Sequence, residues 1–237
     1  MREWAWLAHV YTGLGAAVGL AAALSVIAGR YREAFVWLGV QILIDATDGL
    51  LARWLRVKER LPDFDGARLD DIIDYLCYVF IPVLLLLHAR LLPPFGGEIV
   101  GAIVLMASGY GFSRTTAKVK TTDHFFTGFP SYWNLVAFYM FLLQLPPWVN
   151  AAILLAFAVL VFVPLRYVYP SRTQTLSMTT NGLAAMWGVL LVWLVWRLPE
   201  RDVGWVYVSL TFPVYYFVLS FWLDRLSRRA ADTARPA

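Results

Sequence analysis

The stretch DATDGLLARWLRVKERLPDFDGARLDDIID, residues 45–74, decides how this chain is read. It holds Asp45, Asp48, Glu59, Asp63, Asp65, Asp70, Asp71 and Asp74, half of the 16 acidic residues in a chain of 237. Apolar sequence surrounds it on both sides: VWLGVQILI runs straight into Asp45, and YLCYVFIPVLLLL follows Asp74. A carboxylate inside a membrane-spanning helix costs about 2.5–3.5 kcal/mol near the bilayer centre and less toward the interface. Something must therefore compensate several of them gathered at two helix ends.

The rest of the chain explains why these helices are membrane helices. The hydrophobic fraction is 60%, only 15% of residues are charged, and mean hydropathy is +0.62. Apolar runs of about 20 residues recur, the length needed to cross a bilayer. Eight spans are expected, at roughly 5–28, 33–53, 67–90, 97–117, 130–146, 148–166, 176–197 and 203–226. Pro93-Pro94, Gly96-Gly97, Gly128, Pro130, Pro146-Pro147 and Pro199 punctuate them. The first run is too long, and its basic start too weak, for a signal peptide, so it is expected as a span. The fold class is an all-α polytopic membrane protein. Residues 1–226 are expected as one integral membrane catalytic domain, with 227–237 as a short, disordered cytoplasmic tail.

Charge sets the expected orientation. With the N-terminus in the cytoplasm, only Arg30, Arg32, Arg90, Arg197 and Arg201 of the 20 basic residues fall on the far side. Both termini and the acidic stretch then lie on the cytoplasmic side. The formal net charge of +4 suits a membrane protein with basic edges and excludes nucleic acid as the expected partner. The lone cysteine, Cys77, rules out an intrachain disulfide framework and is expected to pack. Gly15 and Gly19, four apart, predict close helix packing.

Asp45 and Asp48 are three apart and share a face of the second span; Asp70 and Asp74 are four apart and share a face of the third. Asp71 points about 100° away from Asp70. Neighbouring ends of these two helices can bring four carboxylates together, where they repel one another unless a cation neutralises them. An all-oxygen set suits Mg²⁺, Mn²⁺ or Ca²⁺ rather than zinc. Four carboxylates suffice for a two-metal site of the phosphoryl-transfer kind. Glu59, Asp63 and Asp65 read instead as a solvated loop. Gly49, Ala52 and Gly66 leave room for a ligand near the backbone, and Arg53 is placed to meet a phosphate or orient an aspartate.

The pattern Asp45-x-x-Asp48-Gly49-x-x-Ala52-Arg53, then Gly66-x-x-x-Asp70-x-x-x-Asp74, resembles the motif of the CDP-alcohol phosphotransferases, integral membrane enzymes of lipid synthesis. The resemblance implies a six-helix core, compatible with two further helices, and a site near the cytoplasmic face. The spacer from Trp54 to Asp65 is longer than the family's usual one by about one helical turn. In this it resembles the bacterial phosphatidylcholine synthase branch, as does DHFFTGFPSYWN, residues 123–134.

That resemblance implies CDP-diacylglycerol, choline and membrane lipid as partners, with a homodimer also expected, in a bacterial inner membrane. It implies Mn²⁺ or Mg²⁺, two ions per site, held by Asp45, Asp48, Asp70 and Asp74, with Asp74 also the general base. Gly49, Ala52, Arg53 and Gly66 are the implied nucleotide residues, and Arg114 and Lys118 are candidates for lipid phosphate or the nucleotide. A quaternary ammonium is held by aromatic faces and a nearby carboxylate. The choline candidates are Tyr75, Tyr110, Ser131, Tyr132, Trp133 and Asn134, with Phe112 and Trp187 as further aromatics. The competing readings are a transferase for serine, glycerol 3-phosphate or inositol phosphate, and a cation transporter. Anionic acceptors call for a basic pocket. A transporter calls for polar residues continuing through the later spans, which are missing there.

Overall fold

The computed structural model describes residues 2–114, 125–127, 132–163, 166–168 and 177–233. These fall into two compact units, Met1–Phe112 with Ser131–Leu155 and Ser113–Pro130 with Ala156–Ala237.

The first unit is built around α1 (Arg2–Ile27), which packs along α2 (Tyr31–Trp54). The short α3 (Val57–Arg60) follows, and then α4 (Gly66–Asp74). The chain then runs through a π-helical segment (Tyr75–Phe80) into α5 (Ile81–His88) without a break in the span. Next come α6 (Gly97–Ser113) and α7 (Trp133–Leu143), and α8 (Pro147–Phe162) begins here.

Local chemistry sets the boundaries. Gly29, at φ +69°, supplies the left-handed conformation that turns the chain after α1. Asp65 caps α4 by accepting the Arg68 N–H at 3.1 Å. Asp65 belongs to the stretch expected as a solvated loop, and this is the work it does there. Gln144 adopts φ 49° at the end of α7, and Pro146-Pro147 starts α8.

Close approach along α1 follows its small residues. A methyl at Gly15 would lie 2.5 Å from Gln41 Oε1 and 2.7 Å from Ile73 Cγ2; one at Gly19 would lie 2.9 Å from Cys77 Sγ. These glycines let α1 sit against α2 and the third span at once. Cys77 is fully buried in that contact. Buried polar groups make further ties: the Trp133 indole donates to Ser108 Oγ at 2.7 Å, and Asn150 Nδ2 donates to the Leu91 carbonyl at 2.9 Å.

The second unit contains a short antiparallel pair, β1 (Phe125–Thr127) with β2 (Arg166–Val168), and the helices α9 (Ser177–Arg197) and α10 (Val203–Thr233). Thr180 and Tyr215 join α9 to α10 through their hydroxyls at 3.0 Å. α10 continues past residue 226 to Thr233, so helix reaches into the segment expected as a disordered tail. Alanine and arginine there are good helix formers.

Among the described residues, five helices are long and apolar enough to cross a membrane: Glu3–Ile27, Tyr31–Trp54, Gly66–His88, Met178–Arg197 and Val203–Trp222. The other three expected spans appear as shorter apolar helices, α6, α7 and α8, of 17, 11 and 16 residues. α7 is shortened because the left-handed Gln144 ends it. Large apolar side chains such as Leu20, Leu43 and Val192 are more than half exposed, as on a surface that meets lipid. The protein is a membrane protein.

Candidate active site

α2 and the third span bring the carboxylates together. Among the described residues, Asp45, Asp70 and Asp74 each offer an oxygen, and these atoms lie within 4.8 Å of one another. Asp48, three residues after Asp45, is buried and faces Asp70 closely enough for the two carboxyl groups to interact, but it stands outside that trio. α1 packs against both helices that carry the four aspartates, touching α2 as well as α4 and the π segment.

Each carboxylate has its own environment. Asp45 Oδ2 accepts the Tyr78 hydroxyl at 2.9 Å, and Asp48 Oδ2 accepts the Thr12 hydroxyl at 2.9 Å. The neighbouring pair Tyr11 and Thr47 share a hydrogen bond of 2.8 Å, so two successive residues of α1 tie to α2. Asp74 Oδ1 is buried and has no hydrogen-bond partner among the described residues. A buried acceptor without a donor is unfavourable unless a ligand completes it. Hard oxygens converging on one point, with one of them unsatisfied, fit a divalent cation.

The chain matches the CDP-alcohol phosphatidyltransferase family over residues 5–165. It belongs to that family. The match runs from α1 to just beyond α8 and so contains every carboxylate of the site. Relatives agree over a longer stretch. The chain is 38% identical to a phosphatidylcholine synthase of Legionella pneumophila, over 92% of this chain and 88% of that protein. It is 38% identical to one of Bradyrhizobium diazoefficiens (80% and 70% covered) and 36% identical to one of Pseudomonas aeruginosa (79% and 80%). As a member of this family, the protein is a phosphatidyltransferase enzyme of phospholipid synthesis. Family members use a divalent metal, and the aspartate cluster can hold one.

The small residues of the motif sit differently from one another. A methyl at Gly49 would come 3.3 Å from Arg53 Nη1, which puts the guanidinium alongside that glycine. At Gly66 the missing side chain's space is filled: the His9 imidazole Cε1 lies 2.5 Å from where a Cβ would be. His9 in turn is flanked by Phe64 and Trp6, at ring-centroid distances of 4.3 and 5.7 Å.

The aromatic candidates separate as well. Tyr132 is half-exposed and stands edge-on to Tyr78, 6.3 Å between centroids, which places it one residue away from Asp45. Tyr110 is half-exposed on α6. Tyr75 gives its hydroxyl to the Leu105 carbonyl at 3.0 Å and packs its ring on Phe112. Trp133 is fully buried, its N–H committed to Ser108. Asn134 is buried, with Oδ1 accepting the Leu135 N–H. Tyr75 and Trp133 thus tie their helices to α6, and Asn134 is engaged within α7. Arg114 and Trp187 belong to the second unit. Lys118 and Ser131, and half of the stretch 123–134, lie outside the described residues.

Reading the sequence missed Tyr78 and Thr12. Tyr78 is four residues after Asp74 and so on the same helical face, a usable signal. Thr12 is one polar residue in an apolar helix, and nothing in the sequence ties it to Asp48.

Proposed function

We propose that this protein is a phosphatidylcholine synthase, transferring the phosphatidyl group of CDP-diacylglycerol to free choline to give phosphatidylcholine and CMP. The observation that carries the reading is the meeting of Asp45, Asp70 and Asp74 within 4.8 Å on membrane helices. Its support is a chain 36–38% identical over most of its length to relatives named for that activity.

In this reading the acyl chains stay in the bilayer while the pyrophosphate reaches the carboxylates. Asp45, Asp48 and Asp70 hold the cation, with Asp74 beside them. Mn²⁺ or Mg²⁺ bound there, as two ions, would supply positive charge to offset that of the pyrophosphate and of the departing CMP. The choline oxygen attacks the phosphorus that carries diacylglycerol. The bond from that phosphorus to the CMP oxygen breaks, and CMP leaves with the electron pair. Asp74 takes the choline hydroxyl proton; its Oδ1, without a donor among the described residues, supports that role. Gly49, Ala52 and Arg53 take the nucleotide, with Gly66 at the edge of that surface. Tyr132 supplies the aromatic face for the trimethylammonium group; its exposure and its contact with Tyr78 support this over the more buried candidates. The site lies on the cytoplasmic side of a bacterial inner membrane with both termini inside, a reading supported by the distribution of arginine and lysine.

The test is CMP release by the purified protein in detergent with CDP-diacylglycerol and Mn²⁺. Choline should be required, and serine or glycerol 3-phosphate should not replace it. Phosphatidylserine as the product would overturn the choline assignment.

A further inference from the structure

Two hydroxyls outside the aspartate motif reach into the site from two different elements. Thr12, on α1, donates to Asp48 Oδ2 at 2.9 Å; its alternative acceptor, the Ala8 carbonyl, is farther at 3.2 Å. Tyr78, in the π segment, donates to Asp45 Oδ2 at 2.9 Å. Both hydroxyls are on buried residues, with Tyr78 6% and Thr12 9% exposed. An ionised carboxylate only accepts hydrogen bonds, so a donor on Oδ2 restrains the group while its other lone pairs can still face a cation.

The π-helical segment makes the second contact compatible with the fold. Tyr75 and Tyr78 are three residues apart, which on an α-helix puts them about 60° apart. The wider π turn opens that angle. Tyr75 can then bond the Leu105 carbonyl on α6 while Tyr78 bonds Asp45 on α2. Single π turns inside α-helices are rare and concentrate at functional sites. Tyr132 packs edge-on against Tyr78 and restrains its ring.

We propose that Tyr78 and Thr12 are positioning residues: they orient Asp45 and Asp48 and so set the affinity of the site for its divalent cation. The inference rests on the reading that these aspartates hold a cation, and it does not depend on which alcohol is the acceptor. Groups that hydrogen-bond metal ligands hold those ligands in the binding orientation, and their loss typically lowers metal affinity by about 10–100-fold.

The experiment measures Mn²⁺ binding to the full-length protein in detergent, by the loss of the free-ion electron paramagnetic resonance signal, alongside thermal unfolding and CMP release. Tyr78→Phe and Thr12→Val should each raise the Mn²⁺ dissociation constant about 10-fold or more, and Thr12→Ser should restore it. The choline KM at saturating Mn²⁺ should stay close to that of the unaltered protein. If Tyr78→Phe does not yield folded protein, the Thr12→Val and Thr12→Ser pair decides. Binding within twofold of the unaltered protein for both Tyr78→Phe and Thr12→Val would overturn the inference, as would an unaltered protein that binds no Mn²⁺. Mn²⁺ binding that weakens as expected in a protein inactive toward choline would overturn the choline reading and support this one.

Discussion

Gly66 carries the His9 ring on its face: a Cβ added at Gly66 would stand 2.5 Å from imidazole Cε1. The ring has little freedom to withdraw, because His9 is buried between Trp6 and Phe64. Gly66→Ala should therefore destabilise the protein by about 1–3 kcal/mol, the usual cost of overpacking. Thermal unfolding in detergent reads this as a lowered midpoint. Adding His9→Ala to Gly66→Ala should recover part of the loss, since residues in contact couple. A double variant no more stable than the sum of the single changes would mean that the contact does not limit this position.

Asp74 holds a buried oxygen without a donor among the described residues and is the proposed base. Asp74→Asn should lower the rate of CMP release by about 10²–10⁴-fold, the range for loss of a positioned general base. The protein should still elute as the unaltered form does. Asp70→Asn should also suppress release, because it removes the negative charge of one of the three converging carboxylates. Undiminished release in Asp70→Asn would sink the catalytic assignment.

Removal of divalent metal tests the oxygen cluster as a whole. EDTA should stop CMP release, and Mn²⁺ or Mg²⁺ should restore it. Zn²⁺ should restore it poorly, because the cluster among the described residues is three carboxylates without Cys or His, a set that favours hard cations.

Tyr132 should govern the acceptor. Tyr132→Ala should raise the choline KM about 2- to 30-fold, the equivalent of a cation–π contact of about 0.5–2 kcal/mol. Tyr132→Phe keeps the ring and should change it little. Steady-state kinetics with varied choline at saturating CDP-diacylglycerol separates the two outcomes. An unchanged KM in Tyr132→Ala would move the ammonium site elsewhere.

Gly19 tests the packing that assembles the site. A methyl group added there would meet side-chain atoms of Cys77, Ile81 and Leu76, all within 3.4 Å. Gly19→Val should push α1 away from the third span, lower the unfolding midpoint and weaken Mn²⁺ binding together. A loss of stability alone would mean that the carboxylates keep their places without this contact.

Helix placement was legible because it depends on local properties. Long apolar runs mark the spans, and the prolines and glycines between them mark turns. The pairing of Asp45 with Asp48 and of Asp70 with Asp74 follows from helical periodicity alone. The small residues Gly15 and Gly19 also announced close packing. The length of α7 was less legible: its apolar run extends further than the helix, which stops where Gln144 turns left-handed.

What the sequence by itself determined is the inventory: apolar helices, four aspartates on two helical faces, and a motif whose spacing identifies the family. Tertiary structure decided which side chains complete the site. Thr12 reaches Asp48 across 36 positions and Tyr78 reaches Asp45 across 33, His9 fills the recess at Gly66, and Trp133 turns into the interior while Tyr132 stays half-exposed. The physical reason is that periodicity defines a helix's faces but not its partners. Which face meets which neighbour depends on how side chains of distant helices pack, and on a π turn that redirects Tyr75 and Tyr78 toward different helices.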